Sequence, residues 1–212
     1  MTLLQEKTTQ ALAILQEHKI DLWLTFVRET SGVRDPALDF LIGPRDLTWQ
    51  SALIFTQKGD RIAIVGNLEK DEIESLGVFD TVLGYDKSIR ELLRKTIERL
   101  TPAKIAINTS RDNVHADGLT HAMHGILQEH LDGTPYRDRL VSAEPIINAL
   151  RGRKTPAEVE RIRQAVGITA EIYSKAFAAI EIGMSEKELA AQMHTWMNQA
   201  EVGFAWPPTA NP

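Results

Sequence analysis

Apolar positions in the first part of the chain fall into short runs that alternate between two spacings. Residues 3–18 carry apolar side chains at intervals of three and four, which predicts an amphipathic helix. The run DLWLTFV (21–27) is rich in aromatic and β-branched residues and predicts a buried strand. The runs ALIFT (52–56) and RIAIV (61–65) predict a β-hairpin, because Gly59 between them can supply the positive φ that the turn requires.

Further runs continue this alternation along the chain. Helical spacing is found over residues 67–77, 88–100 and 115–131, and strand-like runs cover residues 80–85, 104–108 and 136–141. Strands that alternate with helices predict a layered α/β domain with a partly parallel sheet, and the hairpin makes that sheet mixed. We assign this domain to residues 1–145.

The pattern of the remaining residues, 146–212, predicts helices only. Thr155 and Glu158 form a capping box, with Pro156 at the first helical position between them. Ser185 and Glu188 form a second capping box. Two helices with well-defined starts are therefore expected, and no strand.

The first of these two helices carries an apolar stripe along one side. Its members recur every three or four residues and are Val159, Ile162, Val166, Thr169, Tyr173, Ala176 and Ile180. We expect the stripe to fit a β-layer that the 212 residues do not include. Exposed apolar surface on these helices is then expected to drive self-association.

The composition excludes several classes of protein. The chain has 212 residues and a formal net charge of −5, which does not favour nucleic-acid binding. It contains no cysteine, so disulfides, thiolate catalysis and Cys-based zinc sites are excluded. No apolar run resembles a signal peptide or a membrane span. We expect a cytoplasmic protein without nucleic-acid or membrane partners.

Histidines are the first candidates for metal ligands. His121 and His124 lie three residues apart in a predicted helix, with Asp117 and His130 nearby. Two imidazoles at this spacing can share a metal, but a site needs a third ligand and an open position. We interpret these histidines, and His194, as polar surface. The sequence also lacks the Gly-rich patterns of nucleotide-binding loops.

One stretch carries a specific signature. RGRKTPAEVERIRQA (151–165) and GMSEKELA (183–190) resemble the beginning of the "pita-bread" domain of the Xaa-Pro peptidase and creatinase family. The segment DFLIGPRDLTWQSALIF (39–55) resembles a run in that family's N-terminal domain. The resemblance implies a mixed-sheet creatinase/prolidase N-terminal domain over residues 1–145. It also implies the opening helices of a truncated pita-bread α+β domain over 146–212.

The resemblance also implies a chemistry. Family members hydrolyse the peptide bond before proline with two divalent metal ions, Mn, Co or Zn, and act on short proline-containing peptides as homodimers. In family members the metal ligands follow a loop, and GFAWPPTANP (203–212) resembles the beginning of that loop. This chain is therefore expected to hold neither metal nor catalytic residues. We therefore expect the chain alone to be inactive.

Four residues are candidates for substrate binding by the same resemblance. The N-terminal domain of one family subunit leans over the active site of its partner, so Arg45 and Trp49 could contribute there. A bidentate pair between Arg45 and a substrate carboxylate is one such contact. Phe204 and Trp206 could form a wall of the substrate pocket. The alternative for each aromatic residue is simple packing.

Other functions remain open at this point. The same fold supports a creatinase-like amidinohydrolase or a lyase that acts on a small zwitterion. A metal-free pita-bread protein could instead serve as a binding module. A small α/β regulatory domain that binds a metabolite is a further alternative, although it would not need the two capped helices after Thr155.

Overall fold

The computed structural model describes residues 1–205 of the chain. These residues form two compact units, Met1–Thr155 and a second unit that begins at Pro156. The division falls after residue 155 and not at the predicted boundary of 145/146. The reason is that the helix Glu144–Gly152 belongs to the core of the first unit, where Ile146, Ile147 and Leu150 are buried.

The described residues contain six strands and eight α-helices. The strands are β1 (Leu22–Val27), β2 (Ser51–Thr56), β3 (Arg61–Gly66), β4 (Thr81–Tyr85), β5 (Ile105–Ile107) and β6 (Leu140–Ser142). The helices are α1 (Leu3–His18), α2 (Leu38–Leu41), α3 (Lys70–Ser75), α4 (Arg90–Leu100), α5 (His121–His130), α6 (Glu144–Gly152), α7 (Pro156–Ala179) and α8 (Glu186–Gln199).

All six strands belong to one mixed sheet in the order β4-β3-β2-β1-β5-β6. At its centre β1 pairs antiparallel with β2, so that Leu22 faces Thr56, and parallel with β5, so that Leu22 also faces Ile105. The pairs β3–β4 and β5–β6 are parallel, and β2–β3 is the antiparallel hairpin. Five strands therefore run in one direction, and their carboxyl ends meet at a single edge of the sheet.

Helices cover both faces of this sheet. Alternate side chains of β1 point to opposite faces, as the two-residue period of a strand requires. On one face Trp23 packs in a core with residues of α1, α2 and α6. On the other face Leu24 and Phe26 pack in a second core with residues of α4 and α5. The first unit is thus an α/β/α sandwich, and the predicted mixed α/β fold is confirmed.

Most predicted elements are confirmed, and the first helix has the bounds expected from its pattern. Thr2 and Gln5 cap the start of α1 reciprocally, and Lys19 ends it in the left-handed conformation. The hairpin turn contains Gly59 at φ 108°. Because hydrophobic spacing and turn residues agree at these places, the local signal was sufficient.

One predicted helix is interrupted. Residues 115–131 do not form a continuous helix, since a short 3₁₀ turn at Val114–Ala116 is followed by a break before α5. The hydroxyl of Thr120 accepts a hydrogen bond from the Met123 amide and restarts the chain as α5. Gly118 lies in the break, close to a buried carboxylate that is described below.

A buried ammonium group connects the two ends of the first unit. The Nζ atom of Lys7 donates hydrogen bonds to the carbonyl oxygens of Leu150 (2.7 Å) and Arg153 (3.0 Å). Both carbonyls lie at the end of α6, where the helix dipole favours a positive charge. Lys7 is 2% exposed and also lies over the ring of Phe40. The first helix is thereby fastened to the last helix of the unit.

The second unit consists of α7 and α8, which pack against each other. The predicted capping box of Ser185 and Glu188 is confirmed at the start of α8. On α7 the large apolar residues Ile162, Val166, Tyr173 and Phe177 are exposed, with Val166 at 62% and Phe177 at 73%, and Ile180 directly after the helix is exposed as well. No helix in residues 1–205 is long and apolar enough to cross a membrane.

Candidate functional site

The carboxyl edge of the sheet contains a cleft. In open α/β sheets this edge is where ligands usually bind. The cleft has a volume of about 420 Å³ and receives residues from the ends of β1 and β4, the start of β2 and the helices α4 and α5. Its lining consists of Arg28, Glu29, Thr48, Trp49, Gln50, Tyr85, Asp86, Lys87, Ser88, Ile89 and His130. We refer to it as the carboxyl-edge cleft.

Trp49 is the large aromatic wall of this cleft. Its ring lies against the backbone of Gly66, so closely that a Cβ atom at residue 66 would stand 2.8 Å from the indole. The ring centroid is 5.5 Å from that of Tyr85, at a tilt of 52°. Trp49 is half-buried and part of its surface remains open to a ligand. The glycine at the end of β3 is what allows the indole to lie so close to the backbone of that strand.

Tyr85 forms a neutral part of the cleft lining. Its hydroxyl donates a hydrogen bond of 2.8 Å to the carbonyl oxygen of Gln50. Burial, together with the nearby charge of Glu69, raises the pKa of Tyr85 to about 12. At neutral pH the phenol therefore keeps its proton and fixes the position of the Gln50 backbone.

His130 closes the cleft from the end of α5. Its Nε2 atom lies 2.9 Å from Oε1 of Gln50, and its ring meets the ring of Phe26 edge-on at 6.0 Å between centroids. Burial lowers the pKa of His130 below its usual value, and the positive charge of Arg90 lowers it further. Neutral imidazole is thus the favoured form, with Nε2–H donating to the Gln50 side chain.

Charged residues of both signs surround this neutral interior. Arg28, Glu29 and Lys87 are exposed, and none of them makes an ion pair or a side-chain hydrogen bond within the described part of the chain. Asp86 differs, because it accepts a hydrogen bond of 2.7 Å from Asn67. Glu29 also holds the left-handed conformation, at φ 46°, which is uncommon outside glycine.

A second crevice at the same edge, between β1 and β5, is filled by protein. Here Asn108 donates hydrogen bonds to Asp35 (2.8 Å) and Thr25 (3.2 Å), and accepts one from the indole N–H of Trp23 (2.7 Å). Burial raises the pKa of Asp35, against the effect of its hydrogen bonds from Asn108 and the Ala37 amide. This buried cluster leaves the carboxyl-edge cleft as the more open of the two places.

The four substrate-binding candidates from the sequence lie in different places. Trp49 lines the carboxyl-edge cleft, whereas Arg45 does not and instead pairs with Glu72 of α3 at 3.3 Å. Phe204 belongs to the second unit, where its ring meets His194 edge-on at 4.8 Å. Trp206 lies outside the described residues. Of the three candidates that the structure describes, only Trp49 therefore lines this cleft.

The sequence reasoning missed the partners of Trp49. Arg28, Tyr85 and His130 come from three separate elements, and only the sheet order brings them to one place. The sequence offered one signal for such residues, namely a position directly after a parallel strand. Arg28 has that position, because it follows β1. Within residues 1–205, no group of three or more His, Asp or Glu side chains is arranged to hold a metal ion.

Solved structures of peptidases, several of them Xaa-Pro peptidases, have a similar fold. One is an Xaa-Pro dipeptidase from Bacillus anthracis, with 17% identity and a TM-score of 0.57 over 93% of this chain and 49% of that chain. A dipeptidase from Mycobacterium ulcerans is 19% identical and has a TM-score of 0.56, over 93% of this chain and 49% of that chain. An X-Pro aminopeptidase from Thermotoga maritima is 18% identical and has a TM-score of 0.55, over 91% of this chain and 49% of that chain.

These similarities establish the fold. No protein-family model and no curated protein matches the sequence. The chain spans about half the length of the solved structures with which it aligns. The resemblance inferred from residues 151–190 is thus confirmed as a likeness of fold to Xaa-Pro peptidases, and it extends over about nine-tenths of this chain.

Proposed function

We propose that this chain forms the N-terminal part of a metal-dependent Xaa-Pro dipeptidase or aminopeptidase, which hydrolyses the peptide bond before proline. The observation that carries the proposal is the likeness of fold to solved peptidases of this kind over about nine-tenths of the chain, which includes the two helices that follow Thr155. A domain of the first unit alone would not account for α7 and α8.

The chemistry of such an enzyme requires residues beyond those described. Two divalent ions, Mn, Co or Zn, would generate a hydroxide and polarise the scissile carbonyl in the whole enzyme. Residues 1–205 do not fit a dinuclear site, since they contain no suitable group of ligands. No catalytic step is therefore assigned to a residue of this chain, and the 212 residues alone are expected to be inactive.

The proposed role of this chain is to contribute to peptide binding and to the formation of a homodimer. Trp49 forms one wall of a site for short proline-containing peptides, and Phe204 and Trp206 are proposed as further wall residues. Arg45 could meet a substrate carboxylate only after releasing Glu72. The exposed stripe of α7 supports the proposal of a homodimer, because a monomer rarely leaves so many neighbouring apolar side chains in water. A cytoplasmic location is proposed because no apolar run in the sequence resembles a signal peptide or a membrane span.

The test is an assay for proline release from Xaa-Pro dipeptides with added Mn²⁺ or Co²⁺. It is run on pure 212-residue chain and on the longest polypeptide that its gene encodes. Release by the longest product, with none from the 212 residues, is the expected result. Robust release by the 212-residue chain, or no release by the longest product, would contradict the proposal.

A further inference from the structure

A single arginine holds the turn at residues 43–46, which lies shortly before β2. The guanidinium of Arg34 donates hydrogen bonds to the carbonyl oxygens of Gly43 and Arg45, the second at 2.9 Å. It also donates to the carboxylate of Asp46 at 3.1 Å. Three acceptors from one short turn thus meet at one planar group, and the turn depends on that group for its shape.

Arginine is the side chain that can serve these acceptors together. Its guanidinium presents five N–H donors in a fixed fork, whereas the ammonium of lysine carries three donors on one atom. The Arg34 side chain is 29% exposed, and its Nε atom donates a hydrogen bond of 3.0 Å to Asp39 of α2. A lysine at residue 34 would keep the charge but leave part of the turn without donors.

The backbone that joins this turn to Trp49 is also fixed by hydrogen bonds. The oxygen of Asp46 that accepts from Arg34 accepts a second hydrogen bond of 3.0 Å, from the hydroxyl of Thr30. That hydroxyl in turn accepts one of 2.7 Å from the Leu47 amide, and Thr30 is buried. A displacement of Asp46 is therefore passed to Leu47, two residues before Trp49.

Trp49 depends on this backbone because its own side chain is held by packing. In the part of the chain that the structure describes, its indole N–H donates no hydrogen bond, and its ring lies against Gly66 and Tyr85. Trp23, in the core of the same unit, differs because its indole N–H donates to Asn108 at 2.7 Å. A change in the turn is therefore expected to move the Trp49 ring and to leave Trp23 in place.

We infer that Arg34 is a positioning residue, which sets the place of Trp49 in the carboxyl-edge cleft through the turn at residues 43–46. The importance of that place for a peptide substrate rests on the proposed function. The link from Arg34 to Trp49 rests on the hydrogen bonds alone, and it can be tested without any activity.

The experiment compares two indole N–H resonances in NMR spectra of the full 212-residue chain, assigned with single tryptophan-to-phenylalanine variants. In Arg34→Lys the Trp49 resonance is expected to shift, and its heteronuclear NOE is expected to fall about twofold because the indole becomes more mobile. Trp23 should keep its wild-type values. An unchanged Trp49 resonance, or equal changes at Trp49 and Trp23, would overturn the inference.

Two aspartate variants separate the turn from the charge of Arg34. Asp46→Ala and Asp39→Ala each remove one carboxylate partner of the guanidinium, but only Asp46 lies in the turn that leads to Trp49. Asp46→Ala should reproduce the shift of the Trp49 resonance, and Asp39→Ala should not. Equal effects of the two variants would overturn the inference, even where Arg34→Lys does not fold. Arg139→Lys, before β6 at the opposite edge of the sheet, is the control for the exchange of arginine for lysine and should leave Trp49 unchanged.

Kinetics of the longest polypeptide that the gene encodes add a second readout. Arg34→Lys is expected to raise KM for Xaa-Pro dipeptides about tenfold and to leave kcat within about twofold, because a wall residue binds substrate without taking part in the chemistry. A lower kcat with an unchanged KM is what loss of folded protein would produce, and it would overturn the role in the cleft. A product without peptidase activity would remove the proposed function, whereas the NMR comparison would still decide this inference.

Discussion

The side-chain amide of Asn108 donates a hydrogen bond of 2.8 Å to the carboxylate of Asp35, and each residue is only 1% exposed. The two residues are separated by 73 positions and connect the loop after β1 to the end of β5. Asn108 also receives the indole N–H of Trp23. One amide thus satisfies polar groups from two core elements, and its removal would leave them buried without partners.

Replacement of Asn108 by alanine is expected to destabilise the first unit by about 2–4 kcal/mol. The reason is that Trp23 Nε1 and the Asp35 carboxylate each lose a buried hydrogen bond, and unsatisfied buried groups cost about 1–3 kcal/mol apiece. The measurement is urea unfolding followed by tryptophan fluorescence. Asn148→Ala, at an exposed position of α6, is the control and should change stability by less than ~0.5 kcal/mol. Equal effects of the two substitutions would contradict this account.

The raised pKa of Asp35 predicts a specific dependence of stability on pH. Between the unfolded value of 3.8 and the higher folded value, the folded state binds a proton that the unfolded state has released. The contribution of Asp35 is therefore complete below pH 3.8 and is lost as the pH rises through the folded pKa. Urea unfolding from pH 4 to pH 8 should show the wild type losing stability relative to Asp35→Asn. Parallel curves for the two proteins, whatever their offset, would refute the raised pKa.

Gly66→Ala tests the contact between the Trp49 indole and the backbone of β3. The added methyl group would stand 2.8 Å from the indole, so the ring must move, at a cost of about 1–3 kcal/mol. Lower stability is expected, together with a shift of the Trp49 indole N–H resonance in NMR spectra. Gly125→Ala is the matched control, because nothing lies within 4 Å of the new methyl group and α5 should gain about 0.5–1 kcal/mol. An unchanged Trp49 resonance in Gly66→Ala would show that the contact is not as described.

The exposed apolar side chains of α7, among them Val166 and Phe177, predict self-association of the 212-residue chain. Val166→Lys and Phe177→Lys should each shift the chain toward the monomer, since a lysine ammonium resists burial in an apolar contact. Analytical ultracentrifugation over a range of concentrations measures the shift. Gln164→Lys introduces the same charge at an exposed polar position of α7 and should have little effect. A wild-type chain that is monomeric at every concentration would contradict the prediction.

The sequence was informative where local rules act alone. The capping box of Ser185 and Glu188, the hairpin glycine and the helical spacing of residues 3–18 are all read within a few positions, and each agrees with the structure. The interrupted segment 115–131 shows the limit. Apolar spacing there suggested continuity, but Gly118 approaches the buried carboxylate of Asp35 from across the fold. That tertiary contact has no counterpart in the spacing.

The carboxyl-edge cleft shows the same limit for function. Trp49 was noticed because of a family resemblance, and Arg45 because it is close in sequence. Arg28 lies far from Trp49 along the chain, yet it lines the same cleft because β1 and β2 are antiparallel neighbours. Distance along the sequence therefore did not indicate which arginine lies in the cleft with Trp49, because the strand order determines it.

The hydrogen bonds from Lys7 to the carbonyls of Leu150 and Arg153 have a consequence for biosynthesis. They join the seventh residue to the last helix of the first unit, across 143 and 146 positions. The N-terminal helix therefore cannot reach its final seat until residue 153 has emerged from the ribosome. Until then α1 can contact α2 and β2 but not α6, and a domain that closes at its far end is completed late in translation.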